Sequence, residues 1–303
     1  MVDSGAKSAC IHPTRRAWHD HVLRNVAALA NRKQEQIVHA KTEGKKFWYQ
    51  SYSKVGYEKK WSYYEEAFRR HVPGVVRQDT EVHFHGIEKN APKKVESYYI
   101  RHLHTSEILK NALQAERDGY DAFILGGMLD LGYRELREIL NIPVVFICET
   151  SLFMACFLAP KFAVISSQEP TLRGIEENIR AYGLEQRAVP GVHLGAASSL
   201  DLAQGYVNSP QAVIDAVIET ARKPIAAGAG ILVPGHGALS LFLVEQGVRD
   251  IDGVPILDNT AVVLKMAELM VEFRSMGITR SRKGIYAMPS VGELIAATKL
   301  YGM

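Results

Sequence analysis

The order of hydrophobic and polar positions along this chain switches repeatedly between two periods. Short, almost unbroken apolar runs fit strands buried on both faces, at residues 47–53, 81–85, 122–125, 144–147, 162–166, near Val189, and at 231–233 and 254–257. Between them, apolar residues recur every three or four positions. That pattern predicts helices through Trp61 and Phe68, over 96–118, 134–140, from Thr150, and over 170–182, 212–227 and 261–273. Strand and helix alternate, the rhythm of βαβ units, so the chain is predicted to be α/β with parallel sheets. Ahead of this body, Trp18, Val22, Val26, Leu29 and Ile37 fall at helical spacing over 14–42, with Gly44 closing the segment. This N-terminal amphipathic helix either packs its apolar stripe on the body or a neighbouring subunit, or forms a lid.

The two halves echo one another. Phe123-Ile124-Leu125-Gly126-Gly127 followed by Pro143-Val144-Val145 is answered by Leu232-Val233-Pro234-Gly235-His236 followed by Pro255-Ile256-Leu257. Each is a strand, a glycine turn, a helix and a proline-led strand. The expected architecture is two pseudo-symmetric three-layer αβα lobes with the active site in the cleft between them. The divisions are an N-terminal helical extension over 1–45, a first lobe over 46–160, a second over 161–258, and a C-terminal helix and tail over 259–303 packing back on the first lobe. Gly127 and His236 then occupy equivalent positions at the carboxyl ends of parallel strands, where such sheets place their chemistry.

Composition narrows the functions this fold could serve. With 47% hydrophobic residues among 303, the chain can bury a sizeable core. Its 36 Lys and Arg against 33 Asp and Glu give a near balance that offers no electrostatic footprint for nucleic acid or a membrane surface. A small-molecule substrate fits better. Three cysteines, Cys10, Cys148 and Cys156, are too few for a disulfide framework. With no apolar leader and no run long enough to span a bilayer, a cytoplasmic location is expected.

His236 lies between Gly235 and Gly237 where a strand ends and a helix opens. Helix N-terminal amides there suit an oxyanion or carboxylate, and the helix dipole favours a neutral imidazole able to act as acid or base. At another strand-to-helix junction, Glu149, Thr150 and Ser151 read either as a helix cap cluster or as ligands and acid/base groups aimed at the same crevice. Cys148 beside them is a candidate nucleophile or an inert core residue. Ser166 and Ser167, and Gln50 and Ser51, follow two further strands and read as substrate ligands or turns. His83 and His85 share a strand face, but no His or carboxylate spacing resembles a metal site, and neither metal nor cofactor is expected.

From about Phe47 to Phe273 the ordered motifs resemble the aspartate/glutamate racemase superfamily and, within it, the hydantoin racemase branch. They are Asp121 to Gly127 with Asp130 and Gly132, Ile142-Pro143-Val144-Val145 leading to Glu149, Phe162 to Ser167, Tyr182-Gly183-Leu184, and Gly235-His236-Gly237-Ala238. The resemblance implies a cleft in which two cysteines, one at each strand end, exchange a proton on opposite faces of a substrate carbon. Here those positions are Gly127 and His236.

With neither thiol present, the expectation is one-sided general acid/base catalysis by His236 with Glu149 as partner, on a hydantoin- or thiohydantoin-type cyclic amide or a carboxylate. Lyase, decarboxylase or hydrolase-type chemistry would follow rather than two-cysteine racemisation. Gln50, Ser51, Gly127, Thr150, Ser151, Ser166, Ser167, Gly235 and Gly237 are the expected substrate ligands. The alternatives are a racemase or epimerase using His236 with Glu149 or Cys148, and a catalytically silent ligand-binding homologue. The resemblance also implies a homo-oligomer, with Trp18, Trp48 and Trp61 as candidates for a subunit contact.

Overall fold

A computed structural model describes residues 44–89, 97–194 and 208–301. The helix expected over 14–42 lies outside the described residues. Two compact units divide the chain. Of the smaller, residues 287–301 are described, among them a helix, Val291–Tyr301, and the larger, Lys41–Tyr286, holds the two parallel sheets and a two-stranded hairpin.

The first sheet holds β1 (Lys45–Gln50), β2 (Thr80–His85), β3 (Ala122–Leu125) and β4 (Val144–Phe146), all parallel, in the order β2-β1-β3-β4. The second holds β5 (Phe162–Ser166), β6 (Val192–His193) and β7 (Ile231–Pro234), also parallel, in the order β6-β5-β7. The strand expected near Val189 is shifted to Val192–His193, although Ala188 still bridges Phe162. The run at 254–257 is split. Its first two residues, β9 (Val254–Pro255), pair antiparallel with β8 (Asp250–Ile251), and Ile256 makes a parallel bridge to Leu232. Asp252 and Gly253 join that hairpin with φ of 50° and 79°, the left-handed backbone a two-residue hairpin turn needs.

Alternate strand residues enter different layers, as the two-residue period of a strand dictates. Phe47, Tyr49, Ala122, Ile124 and Val145 share one apolar cluster with Phe162, Val164, Ile231 and Val233, so both sheets contribute to a single inner core. Trp48, Phe123, Leu125, Val144 and Phe146 face the opposite way, into a layer with α2 (Tyr98–Arg117) and α3 (Tyr133–Ile139). Ala163, Ile165 and Leu232 point outward against α6 (Pro210–Ala226) and α7 (Gly237–Glu245). Trp48, a candidate for a subunit contact, is instead buried here, its ring stacked on His85 at 3.5 Å. The remaining helices of the unit are α1 (Ser62–His71), α4 (Ile147–Leu158), α5 (Glu169–Ala181) and α8 (Asn259–Ser275).

Helix α8 packs against α4, β3 and β4, and its first residue ties the two halves together. Asn259 is fully buried; its Nδ2 donates to Pro234 O at the end of β7 (2.6 Å) and lies 3.6 Å from Met128 Sδ just beyond β3. Its backbone N–H donates to Ser240 Oγ at 3.1 Å. Replacing Asn259 by Ala leaves the buried Pro234 carbonyl without a donor, a loss of about 1–3 kcal/mol. Urea unfolding of Asn259→Ala should show its midpoint lowered accordingly.

Candidate functional site

The pseudo-symmetry seen in the sequence takes an explicit form at the strand ends. In the first lobe Gln50 pairs with Leu125, and Gly126 N donates to Gln50 O (2.8 Å). In the second, Ile165 pairs with Pro234, and Gly235 N donates to Ile165 O (2.7 Å). The registers superpose Ser51 on Ser166, Tyr52 on Ser167, Gly126 on Gly235 and Gly127 on His236. The two strand ends also approach one another, since a Cβ added to Gly237 would lie 3.6 Å from Gly126 O.

His236 is the N-cap residue of α7, with the extended backbone (φ −148°, ψ 142°) usual there. The His236 side chain does not cap this helix, and among the described residues no other side chain accepts from its first-turn amides. Ser167 Oγ lies 3.1 Å from His236 Nδ1 and 3.3 Å from Nε2. The lone-pair directions of an imidazole diverge, and an oxygen about equally far from both nitrogens lies along neither. Ser167 therefore locates the ring without committing either nitrogen. Burial lowers the imidazole pKa to about 4, so the ring is neutral at pH 7.

Tyrosines from the segment around β1 and α1 cover the glycines of the two turns. A Cβ on Gly126 would meet Tyr49 Cε1 at 2.1 Å, one on Gly127 would meet Tyr52 Cε2 at 2.2 Å, and one on Gly237 would meet Tyr64 Oη at 2.6 Å. Glycine is required at each by close approach of a ring rather than by backbone angle. Tyr64 is pushed up to about 12 by its burial, and burial also raises Tyr49 and Tyr52, so all three stay neutral phenols. In the sequence Tyr52 is only one of several hydroxyls after the first strand. Nothing local shows which glycine a given ring will cover.

The first strand-to-helix junction of interest works differently. Helix α4 starts directly off β4, so Cys148 and Glu149 fall in its first turn, and Thr150 and Ser151 come too late to cap it. The expected local cap is absent. Asp130, at φ 45°, caps the helix from a distance: its carboxylate accepts from Cys148 N (3.2 Å), Glu149 N (2.9 Å) and Tyr182 Oη (2.6 Å). Burial pushes the Asp130 carboxyl up to about 7 against the pull of those hydrogen bonds. Glu149 is held by Arg137, whose Nη1 donates to Oε1 at 3.0 Å and whose Nη2 donates to Oε2, and by Tyr133 Oη. No hydrogen bond or ion pair joins Glu149 to His236.

Other expected ligands are engaged within their own lobes. Gln50 is fully buried: its Oε1 accepts from Trp48 Nε1 (3.0 Å) and Asn111 Nδ2 (3.1 Å), and its Nε2 donates to Ser51 O and Gly86 O (both 3.0 Å). Ser51 Oγ bonds Ser53 Oγ at 2.7 Å. Ser166 Oγ donates to Gln168 O, closing the turn after β5. Thr150 is buried, and Ser151 Oγ is buried without a partner. Cys148 is also fully buried, its thiol raised by burial and then by Asp130, with Asn178 Nδ2 3.7 Å from Sγ. That environment suits a core thiol rather than a nucleophile. Among the described residues no group of His, Cys, Asp and Glu is placed to hold a metal ion, and no helix is long and apolar enough to cross a membrane. A groove of about 720 Å³ beside β2, lined by Phe68, Val72, Val76, Thr80, Val82 and Phe84 among others, includes none of these strand-end residues.

Residues 62–267, more than half the chain, match the family model described as Asp/Glu/hydantoin racemase. The chain belongs to the Asp/Glu/hydantoin racemase family. A hydantoin racemase from Pseudomonas sp. (strain NS671) is 25% identical over 215 residues, 71% of this chain and 82% of that protein. Among solved structures, allantoin racemase from Klebsiella pneumoniae aligns with a TM-score of 0.68 at 19% identity, covering 82% of this chain and 94% of that one. Allantoin racemase from Pseudomonas fluorescens aligns with a TM-score of 0.67 at 23% identity, covering 80% and 97%. These structures share the α/β fold with parallel sheets.

The state of His236 can be checked directly. Its pKa in the folded protein lies below that of the unfolded chain, about 6.5, so the unfolded state binds the proton more readily between pH 6.5 and about 4. Stability is then fully present above pH 6.5 and is lost as the pH falls through the folded value. Relative to His236→Asn, the wild type should lose stability over that window in urea unfolding, and the His236 ring protons should titrate near 4 by NMR.

Proposed function

We propose that this protein acts on a small cyclic amide of the hydantoin type, moving a proton at the ring carbon beside a carbonyl, with His236 as the acid/base on one face. The observation that carries this reading is the inequality of two equivalent positions. One strand end presents a neutral imidazole with uncommitted nitrogens, while the other presents a glycine under a phenol ring. The hydantoin and allantoin racemases it resembles support the substrate class and proton transfer at carbon.

In this scheme a ring nitrogen of His236 takes the carbon-bound proton, leaving an imidazolium and an enolate whose charge rests on the neighbouring carbonyl oxygen. The first-turn amides of α7 supply donors for that oxygen. Helix α4 could not do the same, because Asp130 already occupies its amides. The imidazolium then returns that proton, or one exchanged with solvent, to the same face; in the decarboxylation variant carbon dioxide leaves, the C–C electron pair stays behind as the enolate, and His236, protonated from solvent, delivers its proton to that carbon. Glu149, held by Arg137 and Tyr133 in the first lobe, is given no proton-transfer role in this scheme. Cyclic-amide hydrolysis and decarboxylation are also chemistry this one-sided arrangement can support. Racemisation is the second reading, favoured by the names of the relatives, and in this chain it would need an acid on the Tyr52 side.

Incubation with 5-substituted hydantoins of both hands and 2-substituted malonates in deuterated water, followed by mass spectrometry and chiral chromatography, tests the reading. We expect turnover or exchange on one enantiomer only, reduced about 10²–10⁴-fold in His236→Asn. Equal labelling of both hands would replace one-sided transfer with racemisation, and undiminished labelling in His236→Asn would remove His236 as the acid/base. The profile of kcat/KM against pH should have its acid limb near 4 rather than at the ordinary histidine value, because that ratio reports the free enzyme.

A further inference from the structure

The superposed registers make one exchange visible. In the second lobe the residue after the central strand is small, Ser167, and the residue after the third strand carries the ring, His236. In the first lobe the order is reversed: Tyr52 carries the ring and Gly127 is bare. In both lobes the two positions touch. Ser167 Oγ meets the imidazole of His236, and the Tyr52 ring lies over the Gly127 α-carbon, with Cε2, Cζ and Cδ2 at 2.2, 2.3 and 2.5 Å from where a Cβ would stand. Each strand-end pair therefore fills its space with one ring, supplied from opposite members of the pair.

We infer that Tyr52 is a specificity-determining residue: its ring stands where the side chain of residue 127 would project, closes the first-lobe wall of the site, and limits the substituent a substrate can carry on that side. The inference rests on the proposed function for its substrate class. The ring cannot easily swing aside, because Tyr52 Oη donates to Gly127 O (3.0 Å) and accepts from Leu131 N (2.9 Å), two backbone groups of the same turn. It is half-buried, packed against apolar clusters on either side of the first sheet. A substrate whose reacting C–H points at His236 must direct its other substituent toward this wall. Small groups fit there and bulky ones meet the phenol.

Two measurements on the full-length protein test this. First, Gly127→Ala should lower the melting temperature by several degrees in the wild type, where the new Cβ collides with the ring. In a Tyr52→Ala background the same change should shift it by about a degree or less. Second, the kcat/KM ratio for 5-benzylhydantoin over 5-methylhydantoin should rise about tenfold or more in Tyr52→Ala, while Tyr52→Phe, which keeps the ring, stays at the wild-type ratio. A general loss of structure would depress both substrates together and leave the ratio unmoved. Independent melting shifts would overturn the inference, as would coupled shifts with an unchanged ratio. A wild type that neither converts nor binds either hydantoin by calorimetry overturns the proposed substrate class and the specificity role with it, whereas an unchanged ratio in an active enzyme overturns the role of Tyr52 alone.

Discussion

Both sheets of this protein bury alternate residues of their strands in one common core, and the rest of the molecule is arranged around that constraint. Phe47 and Tyr49 from one sheet and Phe162 and Val164 from the other belong to a single apolar cluster, while Trp48 and Ala163 turn away into separate outer layers. Parallel strands that lose water on both faces cannot change register without moving every apolar residue to the wrong layer. Their carboxyl ends are thereby fixed, and with them the glycine turns at 126–127 and 235–237. The buried Asn259 amide then joins the two ends, bonding the β7 carbonyl at Pro234 and touching Met128 beyond β3.

The two lobes repeat one topology but treat equivalent positions differently. At the start of α4 the amide donors are occupied by Asp130, and the adjoining Glu149 is held by Arg137 and Tyr133. At the start of α7 no side chain among the described residues caps the helix, and the residue there is an imidazole stripped of its charge by burial. Backbone donors without a built-in acceptor are a place for a ligand's developing charge, whereas satisfied ones are scaffold. The family's fold in this chain thus has one helix start whose amides are taken by Asp130 and one that carries a buried imidazole.

Several features are legible in the residue pattern alone. The strands at 122–125 and 162–166 read cleanly because burial on both faces leaves no polar positions to interrupt the run. His236 stands out in the sequence as an imidazole between two glycines at a strand end, although the structure gives both glycines packing partners, Ser166 beside Gly235 and Tyr64 over Gly237. The pair at 192–193 and the hairpin at 250–255 escape such a reading, being too short to establish a period. Glu149, Thr150 and Ser151 look like a cap from their types alone, but the helix begins too early for them and Asp130 takes the role across the fold.

The sequence by itself determined the fold class, the echo between halves and the prominence of His236, because periodicity and flanking glycines are local properties of the chain. Only the tertiary structure decided that Gln50 is consumed by Trp48, Asn111 and backbone groups, that Glu149 is bound to Arg137, and that Tyr52 covers Gly127. Each of these depends on contacts between residues far apart in the chain. Such a contact is fixed by where the strands end in space, and no spacing of residue types encodes it.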